Sequence, residues 1–141
     1  MLNHTLVSPG APGLPARCTS RAKSGIGKAL NPLSAVSFTT SHGIVNEVYF
    51  SREYQACTND MELIVTDGND FFSEEKRDTK HTTKMFADWI PAYQITNECL
   101  QKRYTINKEI ITDPLRNTLL QKIEFVPLAG VKKYIIKKII I

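Results

Sequence analysis

The feature that most constrains the fold is a series of short segments in which apolar and polar residues alternate. In "MELIVT", the side chains of Met61, Leu63 and Val65 share one face of an extended strand. The segments "AYQIT", "RYTINKEI" and "LLQKIEFV" repeat this pattern, with apolar positions at Tyr93, Ile95, Tyr104, Ile106, Ile110, Leu119, Ile123 and Phe125. Turn sequences such as "TDGND" and "TDPLRN" separate them. We therefore predict an all-β fold of antiparallel sheets with one buried face per strand, as in a sandwich.

The chain divides by composition into two segments. Residues 8–34 are rich in Gly, Pro, Ser and Ala, which predicts an irregular N-terminal segment over 1–33. Residues 34–141 carry the alternating pattern and predict a single β-sandwich domain, which suits a chain of 141 residues. The final "YIIKKIII" has high β-propensity and stops at Ile141. A strand without a neighbour exposes an edge, so we expect a truncated, incomplete domain.

The net charge of +4 is concentrated in the C-terminal segment. Residues 131–141 contain four lysines and no acid; subtracting those four from 18 basic residues leaves 14, against 14 acidic residues. Residues 1–130 are thus neutral overall, and we predict no nucleic-acid partner.

The cysteines and the apolar runs limit the cellular setting. Cys18, Cys57 and Cys99 are odd in number and form no Cys-x-x-Cys pair, which predicts neither a disulfide framework nor a structural zinc site. Each is expected to be a small core or boundary residue. No signal-peptide pattern and no apolar run of ~20 residues occurs, so we predict a cytoplasmic location and no membrane partner.

Three groups of residues carry side chains of the types that catalysis or metal binding uses. Glu74 and Glu75 of "SEEKRD" point to opposite faces of a strand and cannot flank one glycosidic bond together, so we predict a solvated charge network. Cys57 with His42 or His81 lacks a third, orienting group. The acidic residues Asp60, Asp67, Asp70 and Asp78 match no calcium-loop spacing. We predict no catalytic residue, metal or cofactor in this chain.

The stretch "SHGIVNEVYF" is a strand that could offer a contact edge. After a His42–Gly43 turn, simple alternation puts Asn46 on the face of the apolar side chains Ile44, Val48 and Phe50, and puts Glu47 and Tyr49 with Val45 on the other face. Tyrosine can stack on a sugar ring and glutamate can accept hydrogen bonds from hydroxyls, but the same pair equally suits contact with a second domain. The predicted residues for glycan or interdomain contact are Asn46, Glu47, Tyr49 and Asp60.

The order of several motifs indicates a family. The segments "SPGAPG", "FTTSHGIVNEVYF", "FFSEEKRDT", "PAYQITN" and "RYTINKEIITDPLRN" follow one another from about Ser8 to Leu128. In content and order they resemble the N-terminal domain of bacterial glucoamylases and glucodextranases, the enzymes of glycoside hydrolase family 15.

That resemblance implies an antiparallel β supersandwich of the galactose mutarotase-like type, incomplete here, which precedes an (α/α)₆ barrel. In the family the barrel releases glucose from α-glucans with inversion, using two of its own glutamates, and these 141 residues lack that barrel. The resemblance therefore implies a non-catalytic domain whose partner is the barrel and which is inactive alone. Two alternatives remain: a stand-alone β module that binds α-glucan, and a non-functional truncated remnant.

Overall fold

A computed structural model describes residues 21–128, 130 and 134–140. This part of the chain forms ten β-strands: β1 Gly25–Lys28, β2 Val36–Ser41, β3 Ile44–Phe50, β4 Ala56–Thr66, β5 Phe72–Glu74, β6 Thr79–Ala87, β7 Ile90–Cys99, β8 Tyr104–Thr112, β9 Leu119–Pro127 and β10 Ile135–Ile140. Among these described residues there is no helix, and so none that is long and apolar enough to cross a membrane.

The strands form two antiparallel sheets. The first has the order β1-β2-β3-β4-β10, with β5 also paired to β4, and the second has the order β6-β7-β8-β9. Side chains from both sheets pack together between them. The predicted all-β, antiparallel sandwich is thereby confirmed.

The alternating pattern correctly identified most of the apolar core. Leu63 and Val65 of β4 pack with residues of the second sheet in one cluster, whose other buried members are Phe71, Cys99, Tyr104 and Ile106. A second cluster consists of Phe38, Val45, Tyr93, Ile95 and Ile110, with Met61 and Leu119 packed against it. Two residues depart clearly from their predicted burial: Ile123 is 36% exposed, and Phe50, predicted on the apolar face of β3, is 49% exposed.

A buried polar layer separates the two apolar clusters. On β8, Lys108 lies between Ile106 and Ile110, which belong to different clusters, and on β7 Asn97 lies in the same way between Ile95 and Cys99. Because alternate residues of a strand share a face, Lys108 and Asn97 both point into the sandwich. The core is therefore divided by a layer of hydrogen-bonding groups.

Glu75 holds this polar layer together. Its carboxylate is 2.6 Å from Lys108 Nζ, accepts a hydrogen bond from Asn97 Nδ2 at 2.6 Å, and accepts another from the Leu63 backbone N–H at 2.9 Å. Both members of the ion pair are almost completely buried. The prediction of a solvated cluster is thus wrong for Glu75, because its partner arrives from β8. The prediction of a solvated charge network fits Glu74 better, because Glu74 is partly exposed and its carboxylate lies 3.0 Å from the Arg77 guanidinium.

Burial also changes the ionisation of the lysine in this layer. Removal from water lowers the pKa of Lys108, and the nearby Glu75 carboxylate opposes that decrease. A charge in this position is tolerated only with its partner in place, since an uncompensated buried charge is strongly unfavourable.

Strand β1 lies within the segment that was predicted to be irregular. A Cβ atom on Gly27 would be 2.1 Å from the Phe38 ring, and one on Gly25 would be 2.7 Å from the Tyr93 ring. The Tyr93 hydroxyl accepts a hydrogen bond from Ile26 N at 3.0 Å and donates one to Ile26 O at 2.7 Å. The strand thus depends on close approach to two aromatic rings, and glycine-rich sequence gives no local sign of it.

The cysteines only partly match their predicted positions. Cys99 is buried in the first cluster, as expected. Cys57 is exposed on β4, where the pairing with β3 shifts register, so its predicted packed position is wrong. Cys18 lies outside the described residues.

Candidate functional site

A β-bulge at Asn46 determines the geometry of the candidate site. In the β2–β3 register Thr39 opposes Glu47 whereas Thr40 opposes Val45, so Asn46 is the extra residue of β3. The His42–Gly43 turn precedes the strand as predicted. The simple alternation predicted after it is wrong, because the bulge allows both Val45 and Val48 to contact the same core cluster.

The bulge buries Asn46 and joins it to Asp60 of β4. Asn46 is 0% exposed; its Nδ2 donates to Asp60 Oδ1 at 2.7 Å, and its Oδ1 accepts from Lys23 Nζ. The other Asp60 oxygen pairs with Lys76 Nζ at 2.5 Å. Asp60 has φ 38°, a left-handed conformation that is uncommon in mid-strand for a residue other than glycine. Such a conformation is retained where surrounding contacts fix it, as these do.

Glu47 extends the same network toward β2. Its Oε2 accepts a hydrogen bond from Thr39 Oγ1 at 2.9 Å and lies 2.7 Å from Lys23 Nζ. Burial and a hydrogen bond with Glu47 raise the pKa of Tyr49. The structure therefore brings the four predicted residues Asn46, Glu47, Tyr49 and Asp60 into one connected group, which we call the Asn46 cluster together with Lys23, Thr39 and Lys76.

A groove adjoins the Asn46 cluster on the first sheet. It has a volume of about 270 Å³ and is lined by Ile26, Lys28, Ser37, Phe38, Thr39, Tyr49 and Glu53. Tyr49 gives it an aromatic ring, and Thr39, Lys28 and Glu53 give it hydrogen-bonding groups. This combination suits a polar partner with ring-shaped or planar apolar faces.

Sequence reasoning missed Glu62, which neighbours the Asn46 cluster on β4. Its side chain accepts a hydrogen bond from Lys76 N at 3.3 Å, and the residue is 7% exposed. Burial raises the pKa of Glu62 to about 7, with repulsion from Glu74 as the next cause. The pattern placed Glu62 on the wet face of "MELIVT"; in the structure β10 pairs with β4 at Glu62, and Lys76 after β5 donates its backbone N–H to the side chain.

The Asn46 cluster is chemically a recognition surface more than a reaction centre. Glu47 and Asp60 are each engaged in an ion pair with a lysine ammonium. Among the described residues, no group of three or more His, Cys, Asp or Glu side chains is arranged to hold a metal ion. Lys23 and Lys76 were also missed, because both come from segments outside the strands that they join.

Comparison with known proteins is consistent with this architecture. A model of the family described as "Glucodextranase, domain N" matches residues 8–138. A curated protein named "Glucoamylase" from Clostridium sp. (strain G0005) is 39% identical over 119 residues, which cover 84% of this chain and 17% of that protein. A crystal structure of a bacterial glucoamylase complexed with acarbose superposes with a TM-score of 0.81 at 34% identity, over 89% of this chain and 19% of that one. The present chain thus spans less than one fifth of either relative.

Proposed function

Because the chain belongs to the family of the glucodextranase N domain, we propose that it is the non-catalytic β-sandwich part of a glucoamylase-like enzyme and borders that enzyme's (α/α)₆ catalytic barrel. The observation that carries the proposal is the coverage of the comparisons. Similarity extends over 84–89% of this chain but over only 17–19% of proteins named as glucoamylases, so most of each relative lies outside the match.

The chemistry of three carboxylates in or beside the Asn46 cluster supports a non-catalytic role. An inverting glycosidase holds two carboxyl groups ~6.5–9.5 Å apart around a bound sugar and a water. Glu62 has the raised pKa of a general acid, but it is 7% exposed and does not line the groove beside Tyr49. Glu47 and Asp60 are committed to lysine partners. None of the three is presented to a substrate in the way that the reaction requires.

We expect the purified chain to release no glucose from maltooligosaccharides above a protein-free blank. The reason is that the two catalytic carboxylates of the family are supplied by the barrel. The measurement is an enzymatic glucose assay, with the Clostridium glucoamylase as the positive control. Release of glucose that is proportional to the concentration of the chain would reject the non-catalytic assignment.

A chimera would test the supporting role directly. The matched N-terminal part of the Clostridium glucoamylase is replaced by this chain, and the half-life of activity is measured at an elevated temperature. If the groove faces the barrel, Tyr49→Ala in the chimera should shorten that half-life roughly fivefold, the equivalent of ~1 kcal/mol of lost contact. Phe72→Ala is the matched control, because Phe72 is an exposed aromatic residue on β5, away from the groove. Equal half-lives for both variants would place the barrel contact elsewhere.

A second candidate function is binding of α-glucan by the groove itself. The observation that favours it is that Tyr49 and Glu53 both line the groove, which gives an aromatic face together with a hydrogen-bond acceptor. Calorimetric titration with maltoheptaose should then give saturable heat that Tyr49→Ala abolishes and Phe72→Ala retains. No heat from the unaltered chain at two well-separated temperatures would exclude this function, because burial of apolar surface makes the binding enthalpy depend on temperature.

A further inference from the structure

A cluster of exposed apolar side chains lies at one end of the second sheet. Its members, which we call the apolar patch, are Phe86, Trp89, Ile90, Ile111 and Leu120, and they are between 41% and 92% exposed. Ile111 and Leu120 are directly opposed in the β8–β9 register and therefore share a face. Scattered apolar residues are normal on a protein surface, but a contiguous group of this kind marks an interaction site.

Two connected grooves run through the patch. One, of about 360 Å³, is lined by Phe86, Ile90, Ala92, Glu109, Ile110 and Ile111. The other, of about 120 Å³, is lined by Lys28, Leu30, Ile90, Pro91, Ala92, Ile111, Thr112 and Pro114. They share three residues and are therefore continuous. Apart from Glu109 and Lys28, which carry unlike charges, their linings are mainly apolar.

Trp89 is the most prominent residue of the patch. It is 92% exposed in the β6–β7 turn, directly before Ile90 of the grooves, and its φ of 66° is one that glycine or asparagine adopts more readily. Neither burial nor turn geometry within the described residues accounts for a tryptophan here. Tryptophan is, however, among the residues most enriched at the energetic centres of protein interfaces.

We propose that the apolar patch is the interface of a twofold-symmetric homodimer, in which Trp89 of each copy occupies the grooves of the other. A projecting side chain beside a cavity on one face is self-complementary, as an interface between identical surfaces requires. Two aromatic side chains bury ~150–250 Å² each, a large part of the ~800 Å² per partner of a stable interface. Lys28 and Glu109 at the grooves are already paired within the chain, with Glu53 and Lys122, so the apolar side chains carry the contact between the two copies.

The single tryptophan of the chain provides a direct readout of this interface. Sedimentation velocity of the full chain between about 1 and 100 µM should show a monomer–dimer equilibrium, since dissociation constants in that range are typical of modest interfaces. Over the same range the tryptophan emission should shift to shorter wavelength and become less accessible to acrylamide. A chain that stays monomeric at every concentration would overturn the proposal. The same holds if the chain stays monomeric and its tryptophan emission changes only when maltoheptaose is added.

Variants separate loss of the interface from loss of the fold. Trp89→Gly should weaken dimerisation at least tenfold while the fold is retained, because glycine is better suited to the positive φ. Phe86→Ser should have a similar effect and keeps the fluorescent probe. Phe72→Ser is the matched control, since Phe72 is 53% exposed and Phe86 56%. A dimer that survives Trp89→Gly and Phe86→Ser, or one that is lost in Phe72→Ser alone, would show that a different surface is used.

Discussion

Replacing Lys108 by methionine is expected to lower the free energy of unfolding by about 3–5 kcal/mol, the usual cost of leaving one member of a buried ion pair without its partner. The Glu75 carboxylate would remain buried between the sheets with only Asn97 Nδ2 and the Leu63 N–H as hydrogen-bond donors. The measurement is equilibrium unfolding in urea at neutral pH. Lys122→Met is the matched control: its partner Glu109 is 3.3 Å away but both are exposed, so the change should stay within about 1 kcal/mol.

The double variant Glu75→Gln/Lys108→Met distinguishes lost charge pairing from lost packing. Glutamine keeps the shape of the side chain and one acceptor oxygen for Asn97 or Leu63, while no buried charge remains. We expect it to recover more than half of the stability lost in Lys108→Met. If the double variant is as unstable as the single one, the hydrogen bonds of the carboxylate outweigh the ion pair. If Lys108→Met lowers the free energy of unfolding by less than 1 kcal/mol, the buried Glu75–Lys108 ion pair contributes little to stability.

Replacing Glu62 by glutamine is expected to stabilise the chain at pH 8 by about 1–3 kcal/mol. The sign follows from the pKa of Glu62, which is 4.5 for the free side chain and about 7 in the folded protein. Between these values the folded state binds more protons than the unfolded state, so stability is fully present below pH ~4.5 and is lost as pH rises through ~7. One pKa unit corresponds to ~1.36 kcal/mol, which sets the upper end of the range.

The pH dependence gives a more specific test than the stability at one pH. Urea unfolding at intervals from pH 5 to 8 should show the unaltered chain losing stability relative to Glu62→Gln, with the difference levelling off above pH ~7. Glu98→Gln, at an exposed position on β7, serves as the control and should run parallel to the unaltered chain. A constant difference between Glu62→Gln and the unaltered chain over that range would mean that Glu62 titrates alike in the folded and unfolded states.

Much of the fold was predictable because it depends on local alternation. The apolar faces of β4, β7 and β8 follow directly from "MELIVT", "AYQIT" and "RYTINKEI". The same pattern indicates that Lys108 is buried, because Lys108 lies two residues from both Ile106 and Ile110 and therefore shares their face of β8. Its partner could not be identified in this way, since Glu75 is 33 residues away and reaches Lys108 only when the two sheets pack.

The four residues predicted for glycan or interdomain contact are connected in the structure, but their arrangement could not be predicted from the sequence. Asn46, Glu47 and Tyr49 stand out as two polar residues and an aromatic residue on one predicted strand, whereas Asp60 was placed on no predicted strand. The network that joins them requires a bulge at Asn46 and a positive φ at Asp60. It also requires Lys23 and Lys76, which come from before β1 and after β5. Bulges depend on the register between strands, so one strand's sequence does not define them.

The sequence by itself determined the class of fold, the apolar faces of the main strands and the family, because each depends on residue type and on order along the chain. Only the tertiary structure decided which polar groups are buried, where strand β1 forms, and which surface remains for a partner. The physical reason is that burial and pairing depend on contacts between residues far apart in sequence. Glu75 illustrates this: next to Glu74 in the chain, it is a core residue solely because the second sheet supplies Lys108 and Asn97.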